Sequence, residues 1–103
     1  MSGPPLTLYV FFHSPGPRWQ AGIGFRDQPG VERHVSYMAD QLEAGRLAIG
    51  GPFLDDSGGM VALRADSPEA VLAIAEADPT VRDGLLLVQV KPWMVAMNAF
   101  AAD

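Results

Sequence analysis

Between Leu6 and Trp93 the chain divides into six short segments, and glycine or proline stands at almost every break. This punctuation is the tightest constraint on the fold. No segment is long enough to be stable alone, so each must bury its apolar side against the others. Leu6 to His13 alternates as a strand does: Leu6, Leu8, Val10 and Phe12 share one side, and Thr7, Tyr9, Phe11 and His13 the other. Ser14 to Gly30 holds three prolines and four glycines and reads as a long loop; long ordered loops often carry function. Val31 to Ala44 follows helical spacing, with Val31, Val35, Met38 and Leu42 as the apolar stripe and His34, Tyr37 and Gln41 on its margin. Gly45 is a natural stop.

Arg46 to Phe53 is expected as the second strand, Asp55 to Gly59 as a turn and Met60 to Ala65 as the third strand. Ser67-Pro68-Glu69 opens a second helix that runs to about Ala77, with Val71 and Ile74 inward and Pro79 as its stop. Leu85 to Lys91 is the fourth strand, closed by Pro92-Trp93. The resulting order, β-α-β-β-α-β, is the ferredoxin-like plan: an α+β fold with a four-stranded antiparallel sheet and two helices on one face. At 103 residues, one domain is expected, with its core over about 6–93, a short leader before it and an apolar tail at 94–103 that docks or forms a short helix.

Composition removes several functions. The absence of cysteine excludes disulfides and thiolate chemistry and fits a reducing cytosol. A net charge of −5 gives no basic footprint for nucleic acid. The longest apolar run, about Gly84 to Val90, falls far short of the ~20 residues a membrane span needs, and Met1 to Pro5 does not read as a secretory signal. No phosphate-binding loop, dinucleotide fingerprint or nucleophile elbow is present. Two histidines without cysteine argue against a transition-metal site, and no cofactor is expected.

In the β-α-β-β-α-β plan, the end of the first strand, the start of the first helix, the turn after the second strand and the end of the second helix meet at one end of the domain. His13, His34, Asp55, Asp56 and Asp78 lie on these segments. Asp78 continues the inward stripe of Val71 and Ile74, where burial and the helix C-terminus both raise a carboxyl pKa unless a donor offsets them. His34 is the natural donor. A carboxylate beside an imidazole fixes its tautomer and stabilises the imidazolium, the arrangement that general acid–base catalysis uses. The structural alternative is that Asp78 bonds backbone amides of the Pro79 turn. His13 ends its strand on the side away from the helices, to contact either a ligand or a partner subunit. Asp55-Asp56 suits a solvated hairpin turn better than a metal site.

Two helices cover one sheet face. The other face, expected to carry Thr7, Tyr9, Phe11 and His13 with Leu85 and Leu87, predicts a homodimer packed face to face. The tail completes that interface or folds back on its own sheet.

The string His34-Val35-Ser36-Tyr37-Met38, with Gly45-Arg46-Leu47, Gly51-Pro52-Phe53, Gly58-Gly59-Met60, Ser67-Pro68-Glu69-Ala70, Asp78-Pro79, Gly84 and Pro92-Trp93, resembles the YCII-related family over about His13 to Trp93. The Gly-Pro-Phe segment is also similar to the DGPF group, with Gly51 where that motif has its Asp-Gly. The resemblance implies a ferredoxin-like fold, a dimeric α/β barrel and an active site built on a His and an Asp, here His34 and Asp78. One activity in the family resembles dehydrochlorination of a hydroxylated aromatic. The expected function is therefore a small cofactor-independent enzyme of lyase, isomerase or hydrolase type. His34 and Asp78 would be its acid–base pair, and His13, Ser14, Arg18, Trp19 and Tyr37 would bind a small aromatic or anionic molecule. The alternative is a non-catalytic dimeric module that binds a metabolite or a protein.

Overall fold

The computed structural model describes residues 6–100. Its elements are β1 (Leu6–Pro15), a single 3-10 turn (Phe25–Asp27), α1 (Val31–Glu43), β2 (Leu47–Pro52), β3 (Gly59–Leu63), α2 (Pro68–Glu76), α3 (Pro79–Arg82) and β4 (Leu86–Val95). The strands form one antiparallel sheet in the order β2-β3-β1-β4. This is the ferredoxin-like α+β architecture, with β2 and β4 as edges. No described helix is long and apolar enough to cross a membrane.

The two faces of β1 are the reverse of those expected. Phe11 packs with Val61 and Leu63 of β3 and with Met38, Val71 and Ala75 of the helices, and Tyr9 lies against this core. His13 follows Phe11 on that same helix-covered face. Leu8 and Val10 turn the other way and group with Ala62, Phe12, Met60 and Val95. The alternation is legible, but both sets of β1 residues are apolar, so polarity does not mark which side the helices cover.

Helix α1 is also rotated from the expected stripe. Val31, His34, Met38 and Gln41 are its buried row, while Val35 and Leu42 are 61% and 59% exposed. Buried Gln41 is satisfied because its side-chain oxygen accepts from Arg46 Nε at 2.7 Å. The rotation turns Val35 and Leu42 toward the space above β2, where they form a wall.

The second helix starts as expected: Ser67 caps it by accepting from Ala70 N–H at 3.0 Å, and Pro68 occupies its first position. Pro79 does more than stop that helix. It begins the short α3, for which Asp78 is the N-cap. β4 runs on through Pro92 and Trp93 to Val95. Pro92 is tolerated because β4 is an edge strand and needs no bond on its outer side. Residues 96–100 form no helix, and the leader and the last three residues fall outside those described.

The Ser14–Gly30 loop is organised by a residue without any sequence signal. Gln28, almost fully buried, accepts from Gln20 N–H at 2.8 Å and donates to the carbonyls of Gln20 and Ile23 at 2.9 and 2.7 Å. This frame pushes Phe25 inward against Trp19, Val31, Leu85 and Leu86. Asp56 ties the β2–β3 hairpin to the same loop by accepting from Phe25 N–H at 3.2 Å.

Candidate active site

Three buried polar side chains meet where β1, α1 and α3 converge. His13 comes from β1, His34 from the first turn of α1, and Asp78 from the cap of α3. His13 is 2% exposed and Asp78 0%. Gly58 (φ +138°) helps set the position of His13, because any Cβ at that glycine would strike the His13 carbonyl.

The two oxygens of Asp78 divide the work. Oδ1 accepts from the Thr80 N–H at 2.9 Å and from the Thr80 hydroxyl at 2.7 Å. Oδ2 meets His34 Nδ1 at 2.5 Å and lies 3.8 Å from His13 Nε2. Asp78 thus closes the Pro79 turn with one oxygen and meets a histidine through the other. Burial pushes its carboxyl pKa up. The hydrogen bonds from His34 and Thr80 outweigh that and hold it below the usual carboxylate value. The sequence pattern puts Asp78 at an unfavourable helix C-terminus; α3, which that pattern does not show, makes it an N-cap instead.

An ionised carboxylate only accepts, so the close contact assigns the proton to His34 Nδ1. Nε2, across the ring, is left as the basic atom. The His13 ring stands edge-on to that of His34, with centroids 4.6 Å apart, and Phe25 lies 6.0 Å beyond His34. Burial lowers the His13 pKa to about 4. Neighbouring His34 lowers it too, and Asp78 opposes only part of the shift. His13 is thus neutral near pH 7, and its Nε2 has no hydrogen-bond partner.

His13 and His34 both open onto a cleft of about 510 Å³ between α1 and the β2–β3 hairpin. One wall is Val35, Met38, Ala39 and Leu42 of α1; the other is Leu47, Gly50, Gly51, Pro52, Met60 and Val61. Gly59, paired with His13 across the strands, keeps the floor beside it free of side chain. Phe25 and Arg26 close the loop end, and Arg26 supplies the cleft's cation.

The remaining candidate residues sit elsewhere. Ser14 is exposed on β1 and Arg18 is exposed in the loop, where its N–H donates to the Gly84 carbonyl. Trp19 packs on Phe25, with ring centroids 5.6 Å apart, and backs the cleft from behind. The Tyr37 hydroxyl donates to the Ile74 carbonyl at 2.7 Å and joins the two helices. Asp55 closes its own turn through the Ser57 N–H and hydroxyl. Sequence reasoning misses Phe25, Arg26 and the Gly50–Pro52 wall. The available signal lies in Val35 and Leu42, apolar positions that helical spacing assigns to the core and the fold leaves exposed.

A YCII-related domain profile matches residues 7–94. The chain belongs to the YCII-related family. Among curated proteins, the uncharacterized protein YjpA of Bacillus subtilis (strain 168) is 38% identical over 68 residues, 65% of this chain and 79% of YjpA. Among solved structures, 5-chloro-2-hydroxyhydroquinone dehydrochlorinase (TftG) from Burkholderia phenoliruptrix AC1100, in complex with 2,5-dihydroxybenzoquinone, superposes with a TM-score of 0.60 at 20% identity. That superposition covers 84% of this chain and 92% of TftG. At this identity the likeness speaks for the fold alone.

Proposed function

We propose that this YCII-related protein is a small-molecule enzyme that moves protons with the His34–Asp78 pair. The observation that carries the reading is the 2.5 Å contact between His34 Nδ1 and the buried Asp78 carboxylate, with His34 itself lining a cleft. Asp78 orients the ring and stabilises the imidazolium once His34 Nε2 has taken a proton; His34 then returns that proton to the leaving or rearranging group. This suits lyase, isomerase or hydrolase chemistry, in each of which a proton is taken from one atom, of substrate or water, and delivered to another. His13, neutral and unpartnered, offers a second imidazole for a polar group of the substrate.

The cleft favours a small, flat, apolar molecule with an anionic or hydroxylated edge. Its walls are aliphatic, its polar groups are the two histidines, and Arg26 stands at its loop end. The name of the structural neighbour TftG, a dehydrochlorinase of a chlorinated hydroxyhydroquinone, accords with that chemical class. A homodimer through the sheet face away from the helices, where Ile49, Leu87 and Trp93 are exposed, belongs to the same reading. A solution mass near a single 11.0 kDa chain would remove the dimer.

The test is a screen of hydroxylated and halogenated aromatic acids against wild type, His34→Ala and Asp78→Asn. Turnover should fall about 100-fold or more in His34→Ala, the range of a lost general base. Asn still caps α3 at position 78, so Asp78→Asn should keep the fold while losing activity. Turnover indifferent to both substitutions would move the chemistry elsewhere. Ligand binding without turnover in any variant would favour the non-catalytic module.

A further inference from the structure

We infer that His13, His34 and Asp78 form a three-ligand site for a divalent transition-metal ion of the zinc class, with its fourth position open to the cleft. The site uses the same side chains as the acid–base reading but does not depend on it.

The donor set comes first. Two imidazoles and one carboxylate are a recurrent ligand combination for catalytic zinc and for other divalent transition ions. The sequence holds only two histidines, 21 positions apart, which by itself argues against a metal. Folding makes them neighbours and adds a carboxylate: one donor atom from each of the three residues lies within 4.8 Å of the others.

The second observation is an orphan. His13 Nε2 is buried, makes no hydrogen bond and has Asp78 Oδ2 as its nearest charged atom at 3.8 Å. A buried nitrogen left unpaired is costly, and such groups in folded proteins call for an explanation. A metal ion supplies the missing partner.

Geometry is the third. Imidazole and carboxylate donors sit ~2.0–2.2 Å from zinc, so in a tetrahedral site they stand roughly 3.3 Å from one another. The His13–Asp78 gap of 3.8 Å must close by roughly half an ångström, and the His34–Asp78 gap of 2.5 Å must open by somewhat less than one. The two histidine donors, within 4.8 Å of each other, must draw to the same spacing. Because His13 and His34 line the cleft, water or a ligand oxygen completes the coordination from that side.

Metal and proton compete for one atom. An ion on His34 Nδ1 leaves the ring proton to Nε2, so Nε2 changes from acceptor to donor. The bound ion would therefore switch off His34 as a base and install Lewis-acid chemistry at the same place.

The experiment is titration of the purified protein with Zn²⁺ alone, followed by calorimetry and by imidazole nitrogen NMR. One ion per chain should bind, shifting His13 Nε2 and His34 Nδ1, and His13→Leu should weaken binding at least ~10-fold, the lower end for a disturbed metal site. Circular dichroism checks that His13→Leu is folded; if it is not, the wild-type nitrogen shifts decide. Absence of binding, equal affinity in the two proteins, or binding that leaves the imidazole nitrogens unshifted would overturn the site. If Zn²⁺ fails to bind while His34→Ala still abolishes turnover, the acid–base reading stands and the metal site falls. If Zn²⁺ binds and the metal-free wild type shows no turnover, the metal site stands and the acid–base reading falls.

Discussion

The same two elements build two unlike neighbourhoods. β1 contributes Phe11 and then His13 to one face, and α1 contributes Met38 and, one turn earlier, His34. Phe11 and Met38 pack in a cluster with Val61, Leu63, Val71 and Ala75. One step toward the end of the sheet, the same burial surrounds two imidazoles and a carboxylate. The apolar half gains stability from packing. The polar half holds an unpaired nitrogen and an ionised carboxylate, which fold only because Thr80 and His34 satisfy the carboxylate. The site is therefore carried by the core beside it.

That contrast is most exposed at Phe11. Phe11→Ala should cost about 3–5 kcal/mol in denaturant unfolding, as buried Phe truncations do. A loss below about 1 kcal/mol would mean that the apolar half does not carry the fold.

Next in size is the response of the polar half to acid. The folded His13 pKa is lowered to about 4 from an ordinary 6.5, so between these values the unfolded chain binds a proton that the folded one refuses. Stability contributed by neutral, buried His13 is complete above pH 6.5 and drains away as pH falls toward 4, by about 3 kcal/mol in all. Asp78, whose pKa is lowered, adds a loss of the same sign at still lower pH, as the fall through its folded value protonates it. Unfolding curves at stepped pH should show the slope, and His13→Leu should flatten it between 6.5 and 4. An equal slope in that variant would show that His13 is not the group being protonated.

The smallest stability effect is expected on the helical wall of the cleft. Val35 lines the cleft and is 61% exposed on α1. Val35→Glu should leave unfolding within about 0.5 kcal/mol of wild type while it places a charge in the apolar wall and weakens binding of an anionic ligand. Unaltered ligand binding in that variant would put the binding site outside the cleft.

Strand and helix periods are readable because alternation and 3.6-residue spacing act over several residues at once. The topology follows from their order. What cannot be read is which of two apolar sides faces inward, and β1 shows why: Leu8, Val10 and Phe12 are no less apolar than Tyr9 and Phe11. Val35 and Leu42 mislead for the reverse reason, since an apolar cleft wall and an apolar core stripe share one pattern. His34 and Asp78 can be paired from topology, which brings the start of α1 and the end of α2 together. His13 can be placed at the correct end but not on the correct face. Gln28 cannot be seen at all, because its role rests on three bonds within a loop that has no period.

The bond from Phe25 N–H to Asp56, together with the Gln28 frame, has a consequence for motion. The loop end of the cleft is anchored to the hairpin and to itself, so a ligand does not have to order it on arrival. Breathing of the cleft is left to the α1 wall, where Val35 and Leu42 face solvent on one side. Entry of the proposed ligand would then be a matter of side-chain rotation on one helix, a nanosecond event, rather than the slower opening of a lid.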